Sequence, residues 1–381
     1  MFLCTLTYHP SIIGDIEHIA EYNVLRLPML GVFTLLMGFS MNLAPFKSDF
    51  IKRYCLIVIF ILCEVLLFFA LDLEIHKNFH ISAEIQNLVM SIGYLFIGYN
   101  LTLSENQYKF IFNVFIIFSI YVGLQQVLKN VGGFVIEETY LATGKNVLGA
   151  LLGISAITSI VFAFLSKYSL EKLLYIIASV VLLIILLTIR CRSAFFALIC
   201  TVLMLFINYF HKANSLKKGI ILLGIPIFFL GKYLITGIII SESVDNYIFQ
   251  SLFLRSTSDI TSGRTETYSA ALSIIEESPF WGQLTTQREC AWVHNYILKI
   301  FTNYGVFGAL PFVVLYFYLL RVVCFYVFKE RNVDNRCIGF YQLFTLFIIS
   351  LAEPTLPYGP GSVTLIAFIL VGRGLSVCKK F

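Results

Sequence analysis

The sequence predicts an all-α polytopic membrane protein of about eleven spans, with one large outer loop that contains short helices. Three observations carry this. Of the 381 residues, 59% are hydrophobic and only 13% are charged, about half the charged share usual in soluble domains. There are 37 Phe and 21 Tyr, and a soluble fold of this size would lack the polar surface to coat itself. The apolar residues also fall in runs close to the roughly 20 residues that a spanning helix needs. A soluble enzyme is excluded, and residues 1–381 read as a single membrane domain.

Candidate spans lie near 27–44, 54–71, 85–103, 110–128, 146–165, 173–189, 193–210, 219–240, 306–328, 338–352 and 361–378. Only Arg190-Cys191-Arg192 separates 173–189 from 193–210, which predicts a tight helical hairpin. The stretch 338–352 is short for a span. Glu64 and Lys232 fall inside predicted spans, where charge is costly and therefore a functional candidate.

The formal net charge of +5 does not point to nucleic acid, because the basic residues are scattered between apolar runs. The nine Cys have neither metal-like nor disulfide-like spacing. Most, such as Cys55, Cys63, Cys200 and Cys324, lie in apolar runs, where Cys acts as a small hydrophobe. Residues 1–23 have no basic start and contain Asp15, Glu17 and Glu21, so no cleavable signal peptide is expected.

Lys and Arg in the loops set the orientation. One set of loops holds the larger share, including Lys47, Lys52, Arg53, Lys109, Lys167, Lys172, Lys212, Lys217, Lys218, Lys329 and Lys379, and is expected to be cytoplasmic. The acidic residues fall mostly on the other side. The chain then starts outside and ends inside, so either a twelfth helix lies upstream or residues 1–23 lie on the surface. The outer side is rich in Arg rather than Lys, with Arg26, Arg190, Arg192, Arg255, Arg264 and Arg288. Topology needs only positive charge, whereas Arg presents a planar fork that grips phosphate in a bidentate way. An anionic outer ligand is the functional reading, and chance among few residues is the plain one.

The long outer loop spans 241–305, too long for a simple connection. Within it, Ser262-Gly263-Arg264-Thr265-Glu266 reads as a helix start with Ser262 as N-cap. Tyr268, Ala271, Leu272 and Ile275 follow at helical spacing and predict one apolar face. Ser278-Pro279 ends the helix. Arg264 then occupies the first turn, where the helix dipole disfavours a cation unless an anion binds there too. Arg190 and Arg192 lie at the outer end of the predicted hairpin, as snorkelling anchors or as phosphate ligands. His294 opens the apolar segment His294-Asn295-Tyr296-Ile297-Leu298 at the mouth of a span, and His suits proton transfer near neutral pH. Asp72 and Glu74 have the spacing of a metal pair, but two solvated loop carboxylates would look the same. There is no P-loop, no Gly-rich dinucleotide turn and no nucleophile elbow.

Three patches together resemble the O-antigen ligase and O-antigen polymerase superfamily of bacterial envelope glycosyltransferases. The first is Leu187-Thr188-Ile189-Arg190-Cys191-Arg192-Ser193-Ala194, similar to the family's turn between two spans, with Cys191 where Ser or Thr is usual. The second is Gly263-Arg264, Tyr268 and Ala271, then Ser278-Pro279-Phe280-Trp281-Gly282, similar to an arginine helix that ends in a Pro-x-x-Gly turn. The third is His294-Asn295, Leu298, Gly305 and Gly308, similar to the family's His-Asn helix. They occur in the family's order and cover about a third of the chain. The first 140 residues resemble the family only in hydropathy.

The resemblance implies a multi-pass protein of the bacterial inner membrane with a periplasmic active face. Its donor would be a glycan on undecaprenyl pyrophosphate, and its acceptor another glycan or lipid A core, with no metal or other cofactor. A chain-length regulator protein is a further implied partner. Arg192 and Arg264 would clamp the pyrophosphate, Arg190 would assist, and His294 would act as general base. The short interval between Arg264 and His294 leaves little room for an acceptor-binding insertion and favours polymerase, whereas the His-Asn pair looks ligase-like. A lipid-linked glycan flippase is a reading of another class, but internal repeats are not evident. A metal-dependent transferase using Asp72 and Glu74 is a third.

Overall fold

The computed structural model describes residues 44–70, 79–101, 104–129, 145–189, 191–212, 264–284, 293–330, 337–354, 356–359 and 361–378. Every regular element among the described residues is helical. After a short turn at Ala44–Lys47 come α1 (Asp49–Ala70), α2 (Phe79–Asn100), α3 (Glu105–Lys129), α4 (Lys145–Leu165), α5 (Ser169–Thr188) and α6 (Arg192–Lys212). Then follow α7 (Arg264–Glu277), α8 (Tyr296–Cys324, continued by a wider turn over Phe325–Glu330), α9 (Ile338–Ser350) and α10 (Gly361–Cys378).

Five helices among the described residues are long and apolar enough to cross a membrane: Asn106–Leu128, Asn146–Leu165, Ser169–Thr188, Arg192–His211 and Tyr296–Phe328. The expected eleven or twelve spans are thus met only in part. The segments near 54–71 and 85–103 are helices of 22 residues each, and α1 carries Asp49, Lys52, Arg53 and Glu64. The segments near 338–352 and 361–378 are shorter apolar helices. At 1.5 Å per residue, α9 is roughly 20 Å long against a hydrocarbon core of about 30 Å. Most of its residues are buried by protein, so its ends need no lipid-facing backbone. The segments 27–43 and 219–240, with Lys232, lie outside the described residues.

Some neighbouring helices run antiparallel and others, such as α3 with α5, parallel, and named contacts fix which ends meet. Phe50 of α1 stacks on Tyr318 of α8 at 5.4 Å. Lys109 of α3 pairs with Glu171 of α5 at 3.0 Å. Asn208 of α6 donates to Val327 O and Tyr341 OH, both at 2.7 Å. Arg373 of α10 lies 4.1 Å over the Tyr108 ring. These contacts gather Lys52, Arg53, Lys109, Lys172 and Lys212 at one end, called here the basic end. The opposite end collects the starts of α2, α4, α6, α8 and α10.

The helix α4 is buried along almost its whole length and packs against α3, α5, α6 and α9. The predicted hairpin of α5 and α6 is less tight than expected, because each packs chiefly on α4. Glycines make this possible. A Cβ on Gly123 of α3 would press on Ile185 of α5, and one on Gly149 of α4 would collide with Cys191. The polar residues inside the bundle pair across helices: Ser119 with Ser155 (2.6 Å), Gln342 with Thr158 (2.7 Å) and Thr201 with Thr345 (2.9 Å). Such bonds are worth roughly 0.6 kcal/mol on average in membrane bundles, so they set register more than they add stability.

The helices α2 and α10 approach each other closely. Gly98 lies directly against the Ile369 backbone, and Gly372 against the Leu95 carbonyl. Small residues let two backbones approach in this way. Gly98→Val and Gly372→Val should each lower the melting temperature of the detergent-solubilised protein by several degrees, an overpacking cost of about 1–3 kcal/mol. Melting at the wild-type temperature would show that this interface tolerates separation.

Candidate active site

Two of the residues singled out from the sequence come together. Arg264 is the first residue of α7, and His294 lies two residues before α8. They are close enough for the guanidinium charge to act on the imidazole. The pKa of His294 is lowered from its usual value, first by burial and then by Arg264. The imidazole is therefore neutral at pH 7 and able to accept a proton. Its Nδ1 is buried without a hydrogen-bond partner among the described residues.

The backbone around His294 is fixed from three sides. Tyr268 of α7 donates its hydroxyl to the His294 carbonyl at 2.9 Å. Asn295 is the N-cap of α8: its side-chain oxygen accepts from the Leu298 amide at 2.9 Å. The same side chain donates through Nδ2 to the Leu351 carbonyl at 3.1 Å, which ties the start of α8 to the end of α9. The His-Asn pair thus has a structural account, since both ends of the Asn295 amide are used in building the site.

The far end of α7 is locked into α8 by two glycines. Gly282 and Gly305 both have positive φ, +59° and +63°. Side chains other than hydrogen are strained there. A Cβ on Gly282 would lie 2.5 Å from the Gly305 nitrogen and 2.5 Å from the Thr302 carbonyl oxygen. A Cβ on Gly305 would overlap the backbone of Phe280 and Trp281. At Gly305 the backbone of α8 leaves helical geometry. The amides of Val306 and Phe307 bond instead to Pro279 O (2.8 Å) and Phe280 O (3.3 Å). The turn after α7 thus supplies the acceptors that the broken helix lacks. Phe280 stacks on Phe307 at 5.2 Å, and Trp281 lies 5.6 Å from the same ring.

The break also divides a stretch that would be too long for a membrane. Tyr296–Phe328 has 33 residues, roughly 50 Å of helix. The part beyond Gly305 has a span's length, and the part before it carries His294 at its head.

The face of α7 differs from the expected one. Ala271 and Ile274 are buried, whereas Leu272 is 51% exposed. The expected face of Tyr268, Ala271, Leu272 and Ile275 is rotated because Tyr268 must reach the His294 carbonyl while the Pro279 turn reaches Gly305. Helical periodicity alone does not contain that constraint.

Arg192 is half-buried and is the first residue of α6. Its neighbour Cys191 is buried beside Asn146 and Gly149 of α4. The pairing of Asn208 with Tyr341 and of Thr201 with Thr345 fixes α6 antiparallel to α9. That register places Arg192 at the same end as Leu351 and, through Asn295, as His294. Like Arg264, Arg192 stands where the helix dipole is positive. Arg190, Ser262, Asp72 and Glu74 lie outside the described residues. Glu64 of α1 is half-buried, toward the His294 end.

Two residues at this end escaped the sequence reading. Lys299 is buried on α8. Glu353 is buried just after α9. The signal for Glu353 was available: an acid followed by Pro354, Pro357 and Pro360 at the end of an apolar helix is an unusual context for a solvated carboxylate. No family model matches the sequence, and no curated protein matches it. The fold and site by themselves define an all-helical membrane protein with a basic, histidine-containing cluster at one end of its bundle.

Gly305→Ala should destabilise the protein by about 2–3 kcal/mol through strain at positive φ, and by more through the clash with Phe280. Thermal unfolding in detergent reads this directly. A variant that melts with the wild type would mean that the break in α8 does not need glycine.

Proposed function

We propose that this protein is a polymerase of O-antigen or a related surface polysaccharide, acting at the periplasmic face of a bacterial inner membrane. It transfers a glycan from undecaprenyl pyrophosphate to a sugar hydroxyl, without a metal. The observation that carries this reading is the pairing of Arg264 with a neutral, half-buried His294. A cation and a ready base at one point suit a reaction in which an anion leaves while a hydroxyl loses its proton.

The physical case runs through charge. As the sugar–phosphate bond breaks, negative charge builds on the lipid pyrophosphate. Arg264 and Arg192, each at a helix N-terminus, offer fixed positive charge with the helix amides behind it. In a partly dry site such charge counts for more than in water. Arg190 assists from the residue beside Cys191. His294 takes the acceptor's proton as general base. The implied partners are the lipid-linked donor, the acceptor glycan, membrane lipids and a chain-length regulator protein.

A second reading keeps the chemistry and changes the acceptor: a ligase that transfers to lipid A core. The His294-Asn295 pair favours it. The use of the Asn295 side chain in capping α8 and bonding Leu351 weakens that argument, since the pair is then explained by structure. The glycan profile of cells lacking the protein separates the two. Single repeat units on lipid A core are expected for a polymerase. Full-length glycan left on the lipid carrier would replace this reading by the ligase.

Three substitutions, His294→Ala, Arg192→Ala and Arg264→Ala, should lower transfer by about a hundredfold or more while the protein still inserts. Arg264→Lys should also be poor, because the bidentate grip is lost. The pH profile gives an independent check. Because burial and Arg264 both lower the His294 pKa, the rate should be flat above about pH 6.5 and fall only on further acidification. Arg264→Gln removes one of the two causes and should move that acid limb upward, at a lower rate. A limb that stays put would disconnect Arg264 from the base.

A further inference from the structure

The two parts of α8 fold back on each other at Gly305. The Tyr296 and Tyr316 rings stack at 5.6 Å, and those of Tyr304 and Phe312 at 5.0 Å. In a straight helix the first pair would stand roughly 30 Å apart. The Gly305 backbone, at φ 63° and ψ −169°, makes the reversal. Residues 296–304 are therefore an arm lying along the spanning part, with His294 and Asn295 at its lower end. Two bonds tie that level to α9. Asn295 donates to the Leu351 carbonyl at 3.1 Å, and the Tyr316 hydroxyl is bonded to Ser350 Oγ at 2.8 Å.

Tyr316 sits near the middle of the spanning part, roughly 16 Å from Gly305 and roughly 18 Å from Phe328 along the helix. That part is about as long as a hydrocarbon core is thick, about 30 Å. The lower end of the arm thus lies well inside the outer end of the span. Helix α9 stops at the same level, where its last residue, Ser350, meets Tyr316. The described backbone after it, 351–354 and 356–359, is not helical. Irregular backbone at membrane depth occurs only inside protein or along a water-filled cavity.

The two sides of this hairpin face different media. On the spanning part, Phe307, Leu310, Val314 and Phe317 are each about half exposed and form one apolar stripe from the Gly305 corner to the Tyr316 level. Helix α7 covers the same levels, since its first residue lies by His294 and its closing turn bonds the Gly305 corner. Apart from Ala270 and Leu272, its exposed residues are polar: Thr265, Glu266, Ser269, Glu276 and Glu277. Carboxylates are not left facing hydrocarbon. Water therefore reaches α7 at a depth where the stripe of α8 faces lipid.

We propose that α7, the arm and the end of α9 border a water-filled vestibule that reaches toward the middle of the membrane, and that it takes the hydrophilic head of a lipid substrate, phosphate and sugar together. The ligand half of this proposal rests on the transferase reading above, and the vestibule does not. Hydroxyls and carboxylates on α7 are acceptors for sugar hydroxyls, and Arg264 at its foot is a donor for phosphate. Water in the vestibule spares the phosphate the cost of entering hydrocarbon.

The test places the full chain in lipid nanodiscs with a charged methanethiosulfonate that stays in water, and the wild type gives the background of the native cysteines. Glu266→Cys, at the foot of α7, should react more than about tenfold faster than Phe317→Cys, at the same level in lipid, because the thiolate that reacts is disfavoured in apolar surroundings. Equal rates would overturn the vestibule, since the hairpin would then stand clear of the membrane. An unreactive Glu266→Cys would overturn it too, since no water would reach the site. Should either variant fail to fold, Ser269→Cys replaces the first and Leu310→Cys the second. The lipid-pyrophosphate glycan that accumulates in cells lacking the protein should slow the Glu266→Cys reaction, and inorganic pyrophosphate at the same concentration should not. Equal protection by both would overturn the joint phosphate-and-sugar ligand. Protection by neither, with Glu266→Cys still reactive, would sink the transferase reading and leave the vestibule standing.

Discussion

The site depends on one backbone contact, the meeting of Gly282 with Gly305. A helix that stops inside a bundle leaves amides without acceptors, and in an apolar setting each such group is costly. Here the Pro279–Gly282 turn supplies carbonyls to Val306 and Phe307. The two chains come so close that neither glycine has room for a methyl group. One contact therefore does two things. It makes the break in α8 affordable, and it fixes where α7 ends. With its other end tied through Tyr268 to the His294 carbonyl, α7 has little freedom left. Arg264 is then held against His294 by the geometry of a whole helix rather than by its own flexible side chain.

That arrangement costs something in the empty protein. Arg264 and Arg192 each begin a helix, where the dipole is positive and a cation is disfavoured by about 0.3–1 kcal/mol at exposed sites. Burial and the Arg264 charge also work against protonation of His294. An anion in the site reverses the sign for the arginines and leaves the neutral imidazole useful. The closeness of the Arg264 charge to a neutral His294 is the physical reason for reading the cluster as a candidate binding site for something negative.

Much of this was legible in the sequence. The apolar runs at 110–128, 146–165, 173–189 and 193–210 correspond closely to α3, α4, α5 and α6, because about 20 apolar residues leave few alternatives to a spanning helix. Arg264 in the first turn of its helix and Ser278-Pro279 as its stop follow from local chemistry. What the sequence withheld was orientation. Whether Leu272 or Ile274 is buried depends on where Tyr268 and Gly282 must reach, and those partners are distant in the chain. The double use of the Asn295 side chain was hidden for the same reason: Leu351 lies 56 residues away. Glu353 was missed although its prolines set it apart from an ordinary solvated acid, and its burial becomes plain only with the packing of Leu356 and Tyr358.

The polar groups of the bundle interior behave differently from those of the site, and the contrast bears on function. Ser119 and Ser155, Thr158 and Gln342, Thr201 and Thr345 find each other across helix interfaces. Asn208 satisfies a carbonyl in the widened turn that follows α8. These residues join helices and turn their bonding inward. At the opposite end the backbone is equally well tied, through Tyr268, Asn295 and the glycine pair, but the chemistry-bearing nitrogen is not: Nδ1 of His294 is buried with no hydrogen bond among the described residues. Rigid mounting of a side chain whose own bonding is incomplete makes little sense as stabilisation, because an unsatisfied buried nitrogen costs about 1–3 kcal/mol. It makes sense if the missing partner arrives with the substrate.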